Sequence, residues 1–120
     1  MGQLAFVFPG QGAQVLGMGK DLSENFASSK GIFDAATAAL GYDMAALCNE
    51  QGELLNQTEY TQPAILTASI AALQPVIEAG IKADYVAGLS LSEYSALVAA
   101  GVLDFSEAVK TVRQRGKWMQ

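Results

Sequence analysis

The chain has 120 residues, 51% of them apolar, and a formal net charge of −5. This is enough for one modest domain with a real core, and an acidic chain without a Lys/Arg cluster disfavours a nucleic-acid partner. A single cysteine, Cys48, and the absence of histidine exclude an internal disulfide and leave no ligand set for zinc.

In chain order, "LAFVF" (residues 4–8) reads as a short buried strand, closed by Pro9-Gly10. It is too short for a membrane span or a signal core, and Phe6 spoils the myristoylation pattern that Met1-Gly2 begins, so a cytoplasmic chain with no membrane partner is expected. "PGQGAQVLGMG" follows as a glycine-rich loop. Residues 22–40 carry two weak helical patterns broken around Ser28-Ser29, and Gly41 supplies a stop. Residues 43–60 are polar and irregular and read as short helices or turns, and Cys48 among them reads as a small packing residue. A longer helix is expected from Pro63 to Ala79, with Thr61 as N-cap and a kink or early stop at Pro75. "DYVAG" (84–88) reads as a second strand, residues 90–100 as a helix, and Gly101 as a tight turn. Asp104 and Glu107 then resemble a capping box opening a helix that runs to the end. Its apolar stripe (Phe105, Ala108, Val109, Val112, Met119) is still in phase there, and Trp118 reads as packing. Two strands are too few to bury so many apolar helices, so the chain is expected to be the opening of a larger protein. Exposed apolar surface on such a piece would favour self-association.

Gly88-Leu89-Ser90-Leu91-Ser92 lies where the second strand passes into a helix. This is the layout of a nucleophile elbow, in the form G-x-S-x-S rather than G-x-S-x-G. Glycine permits the sharp turn, and the new helix offers unpaired N–H groups and a positive dipole end to an oxyanion. A serine in this place can equally cap the helix. Glu93, three residues on, fits a first-turn acid favoured by the helix dipole.

Two further residues bear on the choice. If the last two helices run antiparallel, Ser90 and Arg115 each lie roughly 15 Å from the Gly101 turn, which returns Arg115 to the level of Ser90. Gly116 beside it allows close helix approach. A guanidinium next to a nucleophile suits an acyl group bearing a carboxylate, although an isolated arginine can simply be solvated. Gln11, between two glycines after the first strand, could meet Ser90 at the carboxyl edge of a parallel sheet. Neither phosphate-loop spacing is present.

Taken together, "FVFPGQGAQ" (6–14), "TQPAILTAS" (61–69), "GLSLSEYSALVAAG" (88–101) and "RGKWMQ" (115–120) resemble the N-terminal portion of the malonyl-CoA:acyl carrier protein transacylases, in order and spacing along the whole chain. The resemblance implies an α/β fold: the N-terminal part of a three-layer α/β-hydrolase-like subdomain, parallel strands with flanking helices, whose C-terminal part and ferredoxin-like subdomain lie outside the chain. It implies Ser90 as the malonyl-accepting nucleophile, Gln11 and Leu91 as the oxyanion hole, Arg115 as the carboxylate anchor, and Leu89 and Gln62 as candidate pocket lining. The implied substrates are malonyl-CoA and the phosphopantetheine thiol of acyl carrier protein, with no bound cofactor or metal, in fatty acid or polyketide synthesis. Two positions depart from the family pattern: Leu89 stands where histidine is usual, and Ser92 where the second glycine is. The general-base histidine is missing from the chain, so the 120 residues alone are expected to be inactive or nearly so. A serine hydrolase or thioesterase with a similar elbow, and a non-catalytic truncated domain, are the rival readings.

Overall fold

The computed structural model describes residues 2–119. Ala5–Val7 forms strand β1 and Tyr85–Ala87 forms β2, and the two pair in parallel with Phe6 opposite Val86. Asp84 fixes this register. Its N–H donates to the Leu4 carbonyl at 2.7 Å, and its carboxylate accepts the Leu4 N–H at 2.7 Å. Both strands are shorter than the apolar runs that signalled them, and they are not buried: only Phe6 and Val86 are half-covered, while Val7 is 76% exposed. A two-stranded sheet with helices against one side leaves its other side uncovered.

Five helices separate the strands: α1 (Lys20–Asn25), α2 (Ala27–Leu40), α3 (Met44–Glu50), α4 (Gly52–Leu55) and α5 (Thr58–Glu78). Extended Phe26 makes the break between α1 and α2, so the break falls before Ser28-Ser29 rather than at them. Gly41, at φ 82°, closes α2 as its left-handed C-cap, and its N–H donates to Thr37 O. Asp43 caps α3 by accepting the Ala46 N–H at 3.0 Å.

Helix α5 departs most from expectation. It begins at Thr58, one turn before Pro63, and Thr61 lies inside it rather than at its cap. The Thr61 hydroxyl donates back to the Leu55 and Gln57 carbonyls, tying the α4–α5 corner together. Pro75 does not end the helix. Its missing N–H would have served the Ala71 carbonyl, and the buried Ser29 hydroxyl on α2 donates to that carbonyl at 2.7 Å instead. The proline penalty is thereby met from another element.

After β2 come α6 (Ser92–Ala99) and α7 (Phe105–Met119). Asp104 accepts the Glu107 N–H at 3.3 Å, the forward half of the capping box. Phe105, Ala108, Val109, Val112 and Gly116 form the buried stripe of α7, whereas Met119 is 54% exposed. The core is helical. Residues 61–67 of α5 are buried on every side, with Phe33, Ala36 and Leu40 of α2 and the α7 stripe packed around that helix. Arg113 braces the outside of this packing: it donates to Leu40 O at 3.2 Å, pairs with Glu59 at 3.3 Å and lies over the Tyr42 ring. Cys48 is fully buried, and burial pushes its thiol up to about 12. No helix among the described residues is long and apolar enough to cross a membrane.

Candidate active site

The passage from β2 to α6 is held by three contacts of different kinds. A Cβ on Gly88 would overlap the Ser92 carbonyl and lie 2.8 Å from the Glu93 nitrogen, so only glycine fits there. The Ser92 side chain, 97% covered, closes the turn from within. Its oxygen accepts the Leu89 N–H at 2.6 Å, and its hydroxyl donates to the Leu89 carbonyl at 2.9 Å. The serine that departs from the family pattern is therefore accommodated, and it bonds both backbone groups of the residue before the candidate nucleophile. Ser90 itself has φ 58°, the one non-glycine residue with positive φ among those described. That conformation costs of order 1–3 kcal/mol and persists only where the surroundings enforce it.

This geometry decides against the capping reading. Leu91, with helical dihedrals, occupies the N-cap position, and no side chain caps the helix. The Ser90 side chain is exposed and its oxygen meets a cation: Arg115 Nη2 donates to Ser90 Oγ at 2.8 Å. The two residues meet as helix rise anticipated, but the packing route differs. Helix α7 lies chiefly on α5, and Gly116 faces that helix rather than α6. A Cβ there would stand 2.6 Å from Thr58 O and 2.8 Å from Glu59 Cα.

Close approach of α7 to α5 also brings in Gln62. It lies inside α5, fully buried, and its Oε1 accepts Arg115 Nη1 at 2.7 Å. Tyr94, on α6, stands with its ring centroid 5.9 Å from the Arg115 guanidinium carbon. The Arg115 guanidinium is half-buried, hydrogen-bonded to two neutral oxygens, and has no ion-pair partner among the described residues. The Glu59 carboxylate pairs with Arg113 at 3.3 Å and lies 4.0 Å from Lys117. A half-buried cation with neutral neighbours is suited to an incoming anion.

The loop after β1 lies at the same sheet edge, with Gly10 close to the Leu89 carbonyl. Gln11 makes no hydrogen bond to Ser90 among the described residues; its side-chain amide donates to Thr58 Oγ1 at 3.1 Å. Gln14 adds a second tie, accepting the Gly12 N–H at 2.7 Å and donating to Asn56 at 3.0 Å. The hydrogen bonds of the serine turn run from Ser92 to Leu89, Glu93 to Ser90 and Tyr94 to Leu91, and none uses the Leu91 N–H. Leu89 is 81% exposed beside Ser90, at the rim rather than in a closed pocket.

Tyr94, Thr58 and the Gln14–Asn56 pair escaped the sequence reading. Each acts across elements far apart in sequence, where no local pattern reports the contact. Gln14, inside "FVFPGQGAQ", and Tyr94, inside "GLSLSEYSALVAAG", lie in stretches that carry the family resemblance.

A family model described as an acyl transferase domain matches residues 5–120. The malonyl CoA-acyl carrier protein transacylase of Escherichia coli is 53% identical over 123 residues, covering 100% of this chain and 40% of that protein. Its counterpart in Bacillus subtilis is 51% identical over 120 residues, covering 99% and 38%. The crystal structure of an acyl carrier protein S-malonyltransferase from Vibrio cholerae matches with a TM-score of 0.95 at 49% identity, covering 99% of this chain and 40% of that one. The chain therefore spans about two-fifths of the length of these relatives. With a family match running from the start of β1 to residue 120, the chain belongs to the acyl transferase domain family.

Proposed function

We propose that these residues form the nucleophile-bearing, N-terminal part of a malonyl transacylase, serving fatty acid or polyketide synthesis. The observation that carries this reading is the Arg115 guanidinium, unpaired with any carboxylate among the described residues and 2.8 Å from the oxygen of a serine held at positive φ. In this reading Ser90 Oγ attacks the thioester carbonyl of malonyl-CoA, the carbon–sulfur bond breaks, and coenzyme A leaves as thiolate. The backbone N–H of Leu91, together with Gln11, stabilises the developing oxyanion in this reading. The malonyl carboxylate takes the free side of Arg115. The phosphopantetheine thiol of acyl carrier protein then attacks the malonyl-serine ester and regenerates the hydroxyl. An acetyl group would leave the half-buried guanidinium without an anion, which is the basis for discrimination.

The Ser90 proton must pass to a base. The chain supplies no histidine, and the amide oxygen of Gln62 is too weakly basic to take that proton. The 120 residues alone are therefore proposed to acylate slowly or not at all, and rapid stoichiometric mass labelling of Ser90 by malonyl-CoA would contradict this. The function itself is tested in a chimera in which residues 1–120 replace the matched segment of the Escherichia coli relative. Ser90→Ala should abolish transfer to acyl carrier protein. Arg115→Ala should lower malonyl transfer by about a hundredfold and leave acetyl transfer unchanged, since losing one partner of a buried charged pair costs about 2–5 kcal/mol. An unchanged malonyl-to-acetyl ratio would refute the anchor and favour a serine hydrolase.

A further inference from the structure

Gln62 is a buried polar side chain with a defined orientation. Its Oε1 faces a guanidinium that can only donate, so its amide nitrogen must point away, and it does: Nε2 donates to Met119 Sδ at 3.4 Å. Exchanging the two ends of the amide would set donor against donor at Arg115. The orientation is thus determined from both sides, and the side chain is fully covered by its neighbours. The guanidinium in turn has its Nη1 fixed by Gln62 and its Nη2 directed at Ser90, with the Tyr94 ring nearby.

The choice of a neutral acceptor has a consequence. A carboxylate at position 62 would orient the same guanidinium but would also neutralise it. An amide oxygen orients it and leaves the full charge for a ligand. We propose that Gln62 is the positioning residue of an anion site centred on Arg115, selecting carboxylate-bearing acyl groups by aiming the guanidinium at Ser90 without cancelling its charge. This rests on the transacylase reading for the identity of the anion, but the positioning itself does not.

Two measurements on the 120-residue chain separate the parts. The first is side-chain nitrogen NMR of Arg115, assigned by its loss in Arg115→Lys. In the parent chain the two Nη groups should give resolved signals from hindered rotation. Gln62→Leu, close in volume, should merge them, and Gln62→Glu should keep them resolved. The second is titration with malonyl-CoA and acetyl-CoA. Gln62→Leu should weaken malonyl-CoA roughly tenfold and leave acetyl-CoA unchanged. Gln62→Glu should weaken malonyl-CoA at least as much despite an ordered guanidinium, because the charge is then paired. Unchanged Arg115 signals in Gln62→Leu would overturn the proposal, as would full malonyl-CoA affinity in Gln62→Glu. If Gln62→Leu fails to fold, Gln62→Glu decides alone. Should the parent chain not prefer malonyl-CoA over acetyl-CoA, the transacylase reading fails while the NMR result still judges the positioning.

Discussion

Replacing Ser29 by alanine tests whether its hydroxyl is what lets α5 run through Pro75. Ser29 and Ala71 are both fully buried, so water cannot substitute for the 2.7 Å bond between them. Ser29→Ala should leave the Ala71 carbonyl without a partner, at a cost of about 1–3 kcal/mol. The better helix propensity of alanine returns about 0.5 kcal/mol, so the net loss should be roughly 1–2 kcal/mol. In a Pro75→Ala background the ring is gone and residue 75 has an N–H for that same carbonyl. The cost of Ser29→Ala should then fall to near zero, giving a coupling of at least about 1 kcal/mol. Urea unfolding of the parent, both single variants and the double variant measures every corner of this cycle. If Ser29→Ala costs the same with proline or alanine at 75, the hydroxyl is not compensating for the proline and the reasoning is wrong.

Two other outcomes follow from described contacts. Gly116→Ala would place a methyl group 2.6 Å from the Thr58 carbonyl oxygen, against backbone that cannot swing aside, so it should destabilise by about 1–3 kcal/mol in urea unfolding; a parent-like urea midpoint would mean that α7 is not held tightly on α5. Cys48 is raised from its ordinary 9.0 to about 12 by burial, so the folded chain holds a proton that the unfolded chain releases. Its stabilising contribution is complete below pH 9 and declines as pH rises towards 12, by up to roughly 1.4 kcal/mol per pH unit. Half-buried Tyr42, also raised by desolvation, adds to the loss at the upper end. Urea midpoints that do not fall between pH 8.5 and 10.5 would contradict that sign.

What the sequence disclosed and what it hid divide along a physical line. Gly41, Gly101, the Asp104 cap and the α7 stripe act within a turn or two of themselves, and all were readable. The meeting of Ser90 with Arg115 was readable because two helix rises and one turn bring them level. The start of α5 was misread because Pro63 looked like a first-turn signal, while the stabilising contacts come from the Thr61 hydroxyl reaching back to α4. Pro75 misled for the same reason: its relief comes from Ser29, 42 residues away from the carbonyl it serves. The Gln62–Arg115 bond spans 53 residues and leaves no periodic trace in the sequence. Gln62, expected as pocket lining ahead of its helix, lies inside α5 with its amide turned to α7.

The positive φ of Ser90 limits which reactive atoms this scaffold can carry through its history. A left-handed residue tolerates one substituent on Cβ far better than two, so threonine is closed to position 90 although its hydroxyl chemistry is the same. Cysteine shares the unbranched shape of serine and could enter with the turn intact. Substitution at this corner can therefore exchange oxygen for sulfur more readily than a primary alcohol for a secondary one, and the backbone sets that preference.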